Sequence, residues 1–160
     1  DVDIVGLLEL KLKYHHKGDI KVIYSMADTK HYIPMPEIPG EKDFNPYYMM
    51  LKMDINKPLY ICNHILCIVN YQQDGMTSRV LQSYEECPVS YAMLREAYLE
   101  HQEIPCMFAY RQCIHYVSSW IFAKRQKKKV NSLWRRKLVW MAVIPGVILN
   151  MWVRWKNRRH

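Results

Sequence analysis

Residues 138–153 read LVWMAVIPGVILNMWV, and this stretch contains no charged side chain and a single amide, Asn150. A helix of this length spans about 24 Å, whereas the hydrocarbon core of a bilayer is about 30 Å thick and usually needs about 20 residues. Because Trp, Lys and Arg side chains at helix ends reach toward the headgroups, a short helix can still span. The stretch therefore predicts a short apolar helix, within residues 133–160, that anchors in or beside a membrane.

Tryptophan occurs near both ends of this stretch, which is typical of the aromatic belts of a spanning helix. The interior pair Pro145-Gly146 is tolerated more readily in membrane helices than in soluble ones. Two other placements remain open, namely a helix that lies in the membrane interface and a helix that protein covers on every face. The residues predicted to contact the membrane are Trp134, Leu138, Trp140, Val147, Ile148, Trp152 and Trp155.

Charge divides the chain into an acidic body and a basic tail. Residues 1–103 carry all 15 acids and ten Lys/Arg, whereas residues 104–160 carry thirteen Lys/Arg and no Asp or Glu. Such asymmetry indicates a tail that touches an anionic surface, and the candidates are lipid headgroups, nucleic acid and an acidic partner. The residues predicted to contact headgroups or RNA are Lys124, Arg125, Lys127, Lys128, Lys129, Arg135, Arg136, Lys137, Arg158 and Arg159.

The body, residues 1–103, is predicted to be α+β. Apolar and polar residues alternate over 7–14 and again over 20–24, and Lys17-Gly18-Asp19 between them is a turn signal, so residues 4–26 predict a β-hairpin. Residues 31–58 contain five prolines among many apolar side chains, which predicts an extended arm that packs on a surface. The apolar run 59–71 allows a buried strand or a short helix, and its β-branched residues and the Asp74-Gly75 turn favour a strand, which would form one small sheet with the hairpin.

Two helices are predicted after the body's sheet. Pro88 suits the first position of a helix that ends near His101. Pro105 opens a second, amphipathic and basic helix within residues 104–132, with Arg111, His115 and the two serines 118 and 119 on its polar face. Asn131 or Ser132 is predicted to cap the terminal helix of residues 133–160. The predicted fold class is therefore an α+β body with an extended arm, followed by a helical region that ends in a short apolar membrane helix.

No catalytic motif or metal-site spacing is present in the sequence. The five cysteines form no CxxC pair, and Cys62, His64 and Cys67 match no strong zinc template. We therefore predict a non-catalytic protein with reduced thiols and without a metal or cofactor. A small membrane enzyme that uses these cysteines and this histidine remains an alternative.

These patterns predict an accessory subunit of a large membrane complex, in the first place a respiratory complex of the mitochondrial inner membrane, acting in assembly and stability. Its partners would be the other subunits and anionic lipids. The main alternative is a ribonucleoprotein subunit, such as a mitochondrial ribosomal protein, whose basic tail contacts RNA through phosphate contacts and stacking.

Overall fold

The computed structural model describes residues 4–16, 20–62, 64, 65, 67, 68, 70, 79–101, 104–133 and 137–159, and it is mostly helical. The elements, in chain order, are β1 (Ile4–Val5), α1 (Leu7–Leu12), α2 (Met26–Thr29), α3 (Tyr47–Asp54), β2 (Leu59–Tyr60), α4 (Val80–Glu86), α5 (Pro88–Glu100), α6 (Cys106–Arg125), α7 (Lys137–Met141) and α8 (Val143–Asn157).

The chain forms two compact units. Residues 1–35 and 46–72 form the first, here called the N-terminal unit, and residues 36–45 and 73–160 form the second, here called the helical unit. The segment 36–45 therefore leaves one unit and packs in the other.

The N-terminal unit is built around a two-stranded antiparallel sheet, in which Ile4 lies opposite Tyr60 and Val5 opposite Leu59. Helix α1 follows β1 at once, and its first amide groups are satisfied by a distant carboxylate. The amides of Leu7 and Leu8 donate to the two carboxylate oxygens of Asp54, at 2.6 and 3.2 Å. A carboxylate at this position also complements the positive end of the helix dipole.

The predicted hairpin over residues 4–26 is wrong. Helix α1 occupies most of its first half, and residues 20–25 have no regular structure, while the predicted turn at 17–19 lies outside the described residues. The neighbouring side chains of Leu7 and Leu8 are both buried, which a strand with one covered face does not allow. The period-two pattern was therefore incidental, and the cap from Asp54 favours the helix.

The predicted extended arm over residues 31–58 is also wrong over much of its length, because α3 lies within it. Pro46 immediately precedes the first turn of α3, where a proline costs no helical hydrogen bond. Residues 36–45 do remain irregular. They are fixed to the helical unit by Glu41, whose carboxylate accepts from the amides of Val89 and Ser90 in the first turn of α5.

Helix α6 lies at the centre of the helical unit, with α5 packed on one side and α7 and α8 on another. Tyr116 and Val117 are fully buried in the core. The start of α5 at Pro88 and the start of α6 after Pro105 agree with the sequence. The predicted polar face of α6 does not, because Ser118 and Ser119 are 0 % exposed.

The terminal segment is two helices rather than one. Proline has no amide hydrogen, and its ring conflicts with the carbonyl four residues earlier, which for Pro145 is that of Met141. The chain breaks there, α8 restarts at Val143, and the Met141 carbonyl accepts from the Tyr110 hydroxyl at 3.3 Å. Residues 131–133 are not helical, so neither Asn131 nor Ser132 caps this segment.

The prediction of a membrane-spanning terminal helix is wrong. Helix α8 has 15 residues and is therefore about 22 Å long, and its last turn already carries Arg154 and Lys156. Within the described ranges, no helix is both long enough and apolar enough to cross a membrane.

Candidate functional site

Helix α8 packs on α6 through a face that includes Gly146, Asn150 and Val153. Ala142, Gly146 and Asn150 follow one another at four-residue intervals and are all buried. A Cβ atom on Gly146 would lie 2.6 Å from the Cβ and Cγ1 atoms of Val117, so this close approach requires glycine. The Asn150 amide donates to the Ser118 carbonyl at 3.2 Å. Small residues and a polar side chain at a helix–helix contact are typical of helices in lipid.

Six apolar side chains of α8 are exposed on one face. Their spacing is i, i+3, i+4, i+7, i+8 and i+11, which is the pattern that normally faces a core. Here it is exposed, with Ile144 74 % and Met151 61 % accessible. We call this set the apolar stripe, and it consists of Ile144, Val147, Ile148, Met151, Trp152 and Trp155. Trp140 and Met141 of α7 are exposed as well and extend it.

Cations gather at one end of the helical unit because α6 and α8 run in the same direction. Gly146 meets Val117, and further along Val153 packs with Phe122. The last turns of both helices then meet Glu85, since the Gln126 amide donates to its carbonyl at 2.7 Å and the Asn157 amide to its carboxylate at 2.8 Å. We call the basic residues of these two last turns the cationic end, and they are Lys124, Arg125, Arg154, Lys156, Arg158 and Arg159.

Eight of the seventeen predicted contact residues belong to the apolar stripe or the cationic end. Trp140, Val147, Ile148, Trp152 and Trp155 are exposed as a membrane contact requires. Leu138 is instead partly buried against the helical core. Trp134, Arg135 and Arg136 lie outside the described residues. Among the predicted headgroup contacts, the exposed residues are Lys124, Arg125, Lys127, Lys129, Lys137, Arg158 and Arg159.

Lys128 differs from its neighbours because it is a structural cation. Its ammonium group donates to the Glu41 carboxylate at 3.0 Å, and the two side chains are only 20 % and 1 % exposed. The same carboxylate also accepts from the Ser90 hydroxyl at 2.6 Å. Glu41 therefore joins the segment 36–45, the start of α5 and the turn after α6.

The predicted contacts omitted five residues: Ile144, Met151, Arg154, Lys156 and Glu41. Ile144 and Met151 belong to the apolar stripe, and the sequence does contain a signal for them. Ala142, Gly146 and Asn150 recur every four residues and mark the inner face of a helix, so the residues opposite them form its outer face. Glu41 gave no signal, because its partners are 48, 49 and 87 positions away.

The polar groups inside the helical unit serve its packing. The Tyr84 hydroxyl donates to the carbonyl of His115 at 2.8 Å and lies 3.2 Å from its ring nitrogen Nδ1. Burial lowers the pKa of His115 to about 4, and the charges of Arg95 and Arg111 act in the same direction. Burial likewise raises the pKa of Tyr84. The contact between Tyr84 and His115 therefore joins α4 to α6.

A groove of about 390 Å³ runs along the segment 36–44 beside Ser90. The acid in its wall that lies nearest α5 is Glu41, whose oxygens are already occupied by four donors. In the part of the chain that the structure describes, no three His, Cys, Asp or Glu side chains come together as a metal site. The five cysteines, all of which lie within the described residues, form no disulfide; Cys87 and Cys113 are buried, whereas Cys62, Cys67 and Cys106 are exposed.

No protein-family model matches the chain, and no curated protein or solved structure is significantly similar to it. The assignment to a mitochondrial respiratory complex therefore has no relative behind it, and the spanning helix that motivated it is not formed.

Proposed function

We propose that the chain is a non-catalytic accessory protein that associates peripherally with an anionic membrane surface, through the apolar stripe of α8. The observation that carries the proposal is the outward direction of the stripe, with its exposed Ile, Val, Met and Trp side chains. An amphipathic helix with such residues on one face lies in the interfacial plane, with that face buried about 5–10 Å into the headgroup–acyl boundary.

Charge supports lipid over a second copy of the chain. Two copies that met through α8 would bring Lys137 and the cationic end against residues of the same sign, whereas an anionic bilayer complements them. The chain carries no Asp or Glu after residue 103, and the Glu85 carboxylate of α4 accepts from Asn157 at the cationic end. Trp140, Trp152 and Trp155 suit a headgroup layer, because each ring combines an apolar body with a polar N–H.

Lipid also explains the stripe better than RNA does. Phosphate contacts need cations and stacking rings, but an aliphatic face of Ile144, Val147 and Ile148 adds nothing to them. RNA binding therefore remains the alternative that the experiment must exclude. The mitochondrial inner-membrane location stays a prediction from composition, and the proposal names no compartment.

The test is flotation of the purified chain with vesicles of phosphatidylcholine and phosphatidylserine. Met151→Glu places a carboxylate in the stripe, and Met107→Glu is the matched control, because Met107 is an exposed methionine at the start of α6 (78 % accessible). Full burial of a methionine side chain contributes about 1.5–3 kcal/mol, so loss of its exposed part alone weakens binding by roughly tenfold. A carboxylate that faces an anionic surface weakens it further.

We expect the wild type and Met107→Glu to float with anionic vesicles and Met151→Glu to remain in solution. Equal flotation of all three proteins would contradict the proposal. Failure of the wild type to float, together with tight binding to a short single-stranded RNA, would favour the ribonucleoprotein alternative. Stable binding to an added protein partner through the stripe, without affinity for vesicles, would also reject lipid as its occupant.

A further inference from the structure

We infer that the cationic end is a binding site for clustered phosphate groups, as in a phospholipid headgroup that carries phosphate monoesters. This inference rests on the proposed function, because it assigns the headgroup that accompanies insertion of the apolar stripe. The site joins residues that are about 30 positions apart in the sequence, Lys124-Arg125 and residues 154–159.

The geometry follows from the parallel course of α6 and α8. Their last turns both hydrogen-bond to Glu85, so the two sets of cations lie side by side at one end of the helical unit. The six Lys/Arg side chains of this end outnumber the two acids of α4, Glu85 and Glu86, which leaves a surplus of positive charge. The Glu85 carboxylate accepts from the Asn157 amide, which occupies part of its hydrogen-bonding capacity.

Two of the cations are held by tryptophan rings. The Arg159 guanidinium lies 3.9 Å from the ring centroid of Trp155, and the Lys124 ammonium lies 5.3 Å from that of Trp120. Trp155 is the last residue of the apolar stripe, so a headgroup bound by Arg159 would belong to a lipid whose chains lie beside the stripe. Packing on a ring also reduces the rotamer freedom that a long side chain loses on binding.

Clustered phosphates fit this end better than isolated carboxylates. Arginine donates two parallel hydrogen bonds to a phosphate, and the arginines at 154, 158 and 159 offer several such forks within a few residues. A phosphate monoester carries nearly two charges near neutral pH, so one headgroup can meet several cations at once. In phosphatidylserine, by contrast, the same total charge is spread over the headgroups of several separate molecules.

The experiment compares vesicles of equal total negative charge. One set contains phosphatidylserine and the other phosphatidylinositol bisphosphate, both in phosphatidylcholine. The variant Lys124→Gln with Arg158→Gln removes one cation from each helix. The matched control, Arg79→Gln with Arg111→Gln, removes two exposed cations at the start of α4 and in the first half of α6.

We expect the wild type to bind the bisphosphate vesicles at least about tenfold more tightly. Each lost cation at a headgroup surface weakens binding by about fivefold, so the site variant loses about 25-fold and with it the preference. The control keeps the preference. Equal affinity of the wild type for the two vesicles, or an equal loss of preference in variant and control, would overturn the inference.

Two further arms separate the possible sources of the phosphates and the two proposals. Inositol hexakisphosphate in solution tests a free ligand. If inositol hexakisphosphate binds as tightly as the bisphosphate vesicles do, the ligand of the site is a soluble polyphosphate. If it binds much more weakly, the ligand is a lipid headgroup. Flotation with phosphatidylserine vesicles that Met151→Glu abolishes, without any bisphosphate preference, would reject the phosphate site and leave the proposed function standing.

Discussion

Glu41 offers the sharpest test of how the helical unit is held together. Its carboxylate, which is 1 % exposed, accepts from the amides of Val89 and Ser90, from the Ser90 hydroxyl and from the Lys128 ammonium. Glu41→Ala leaves all four donors without their acceptor. Removal of one partner from a buried ion pair costs about 3–5 kcal/mol, and loss of a helix cap costs about 1 kcal/mol.

Lys128 moderates that cost, because its side chain is 20 % exposed and can turn its ammonium group to water. We therefore expect Glu41→Ala to lower the free energy of unfolding by about 3 kcal/mol. Lys128→Met leaves the other three donors on Glu41 and should cost about 1 kcal/mol, as for a partly exposed pair. The double variant should cost less than the two single variants together, because both remove the same ion pair.

The assay is urea unfolding followed by tryptophan fluorescence, which reports on the helical unit because all five tryptophans lie at positions 120–155. A lower midpoint with an unchanged denaturant slope would show a change in stability alone. A Glu41→Ala variant within about 0.5 kcal/mol of the wild type, the range of ordinary surface substitutions, would refute the reasoning. A Lys128→Met variant as unstable as Glu41→Ala would also refute it.

Three further predictions concern the core and the thiols. Gly146→Ala should lower the free energy of unfolding by about 1–3 kcal/mol in urea, despite the better helix propensity of alanine, because its Cβ meets Val117 at 2.6 Å. The control is Gly6→Ala, whose Cβ has no neighbour closer than 3.5 Å. Burial lowers the pKa of His115 to about 4, so the contribution of its neutral ring to stability is complete above pH 6.5. This contribution falls as the pH drops toward 4, because only the unfolded chain binds the proton in that window. The free energy of unfolding of the wild type should fall by about 2 kcal/mol between pH 7 and pH 5, and this fall should be absent in His115→Gln. If the free energy of unfolding of that variant depends on pH as steeply as that of the wild type, His115 is not the cause. A thiol reagent under native conditions should label the three exposed cysteines, Cys62, Cys67 and Cys106. Labelling of all five cysteines would show that the core is open to the reagent.

The sequence predicted those parts of the helical unit that depend on local rules. Pro88 marked the start of α5 and Pro105 the start of α6, because a proline is suited to the first turn and disfavoured further inside a helix. In the terminal segment, Trp140, Val147, Ile148, Trp152 and Trp155 are exposed, but their contact with a membrane stays a prediction.

The remaining features depend on contacts between distant positions. The cap from Asp54 turned the alternating residues of 7–12 into a helix, although their spacing resembled a strand. Pro145 was read as tolerable within a spanning helix, whereas it breaks the segment at Ala142 and leaves α8 too short. The cationic end required the parallel packing of α6 and α8, which no local pattern shows.

The most direct test of the central claim is the depth of the apolar stripe in a bilayer. A nitroxide is attached at Ile148→Cys, and in a second protein at Met107→Cys, after the exposed thiols Cys62, Cys67 and Cys106 have been replaced by serine. On vesicles of phosphatidylcholine and phosphatidylserine, the label at 148 should be relaxed by oxygen, protected from a water-soluble reagent and placed about 5–10 Å below the phosphates. The label at 107 should stay in water. Two labels that are equally accessible from water would show that the stripe does not enter the membrane, and the account would fail.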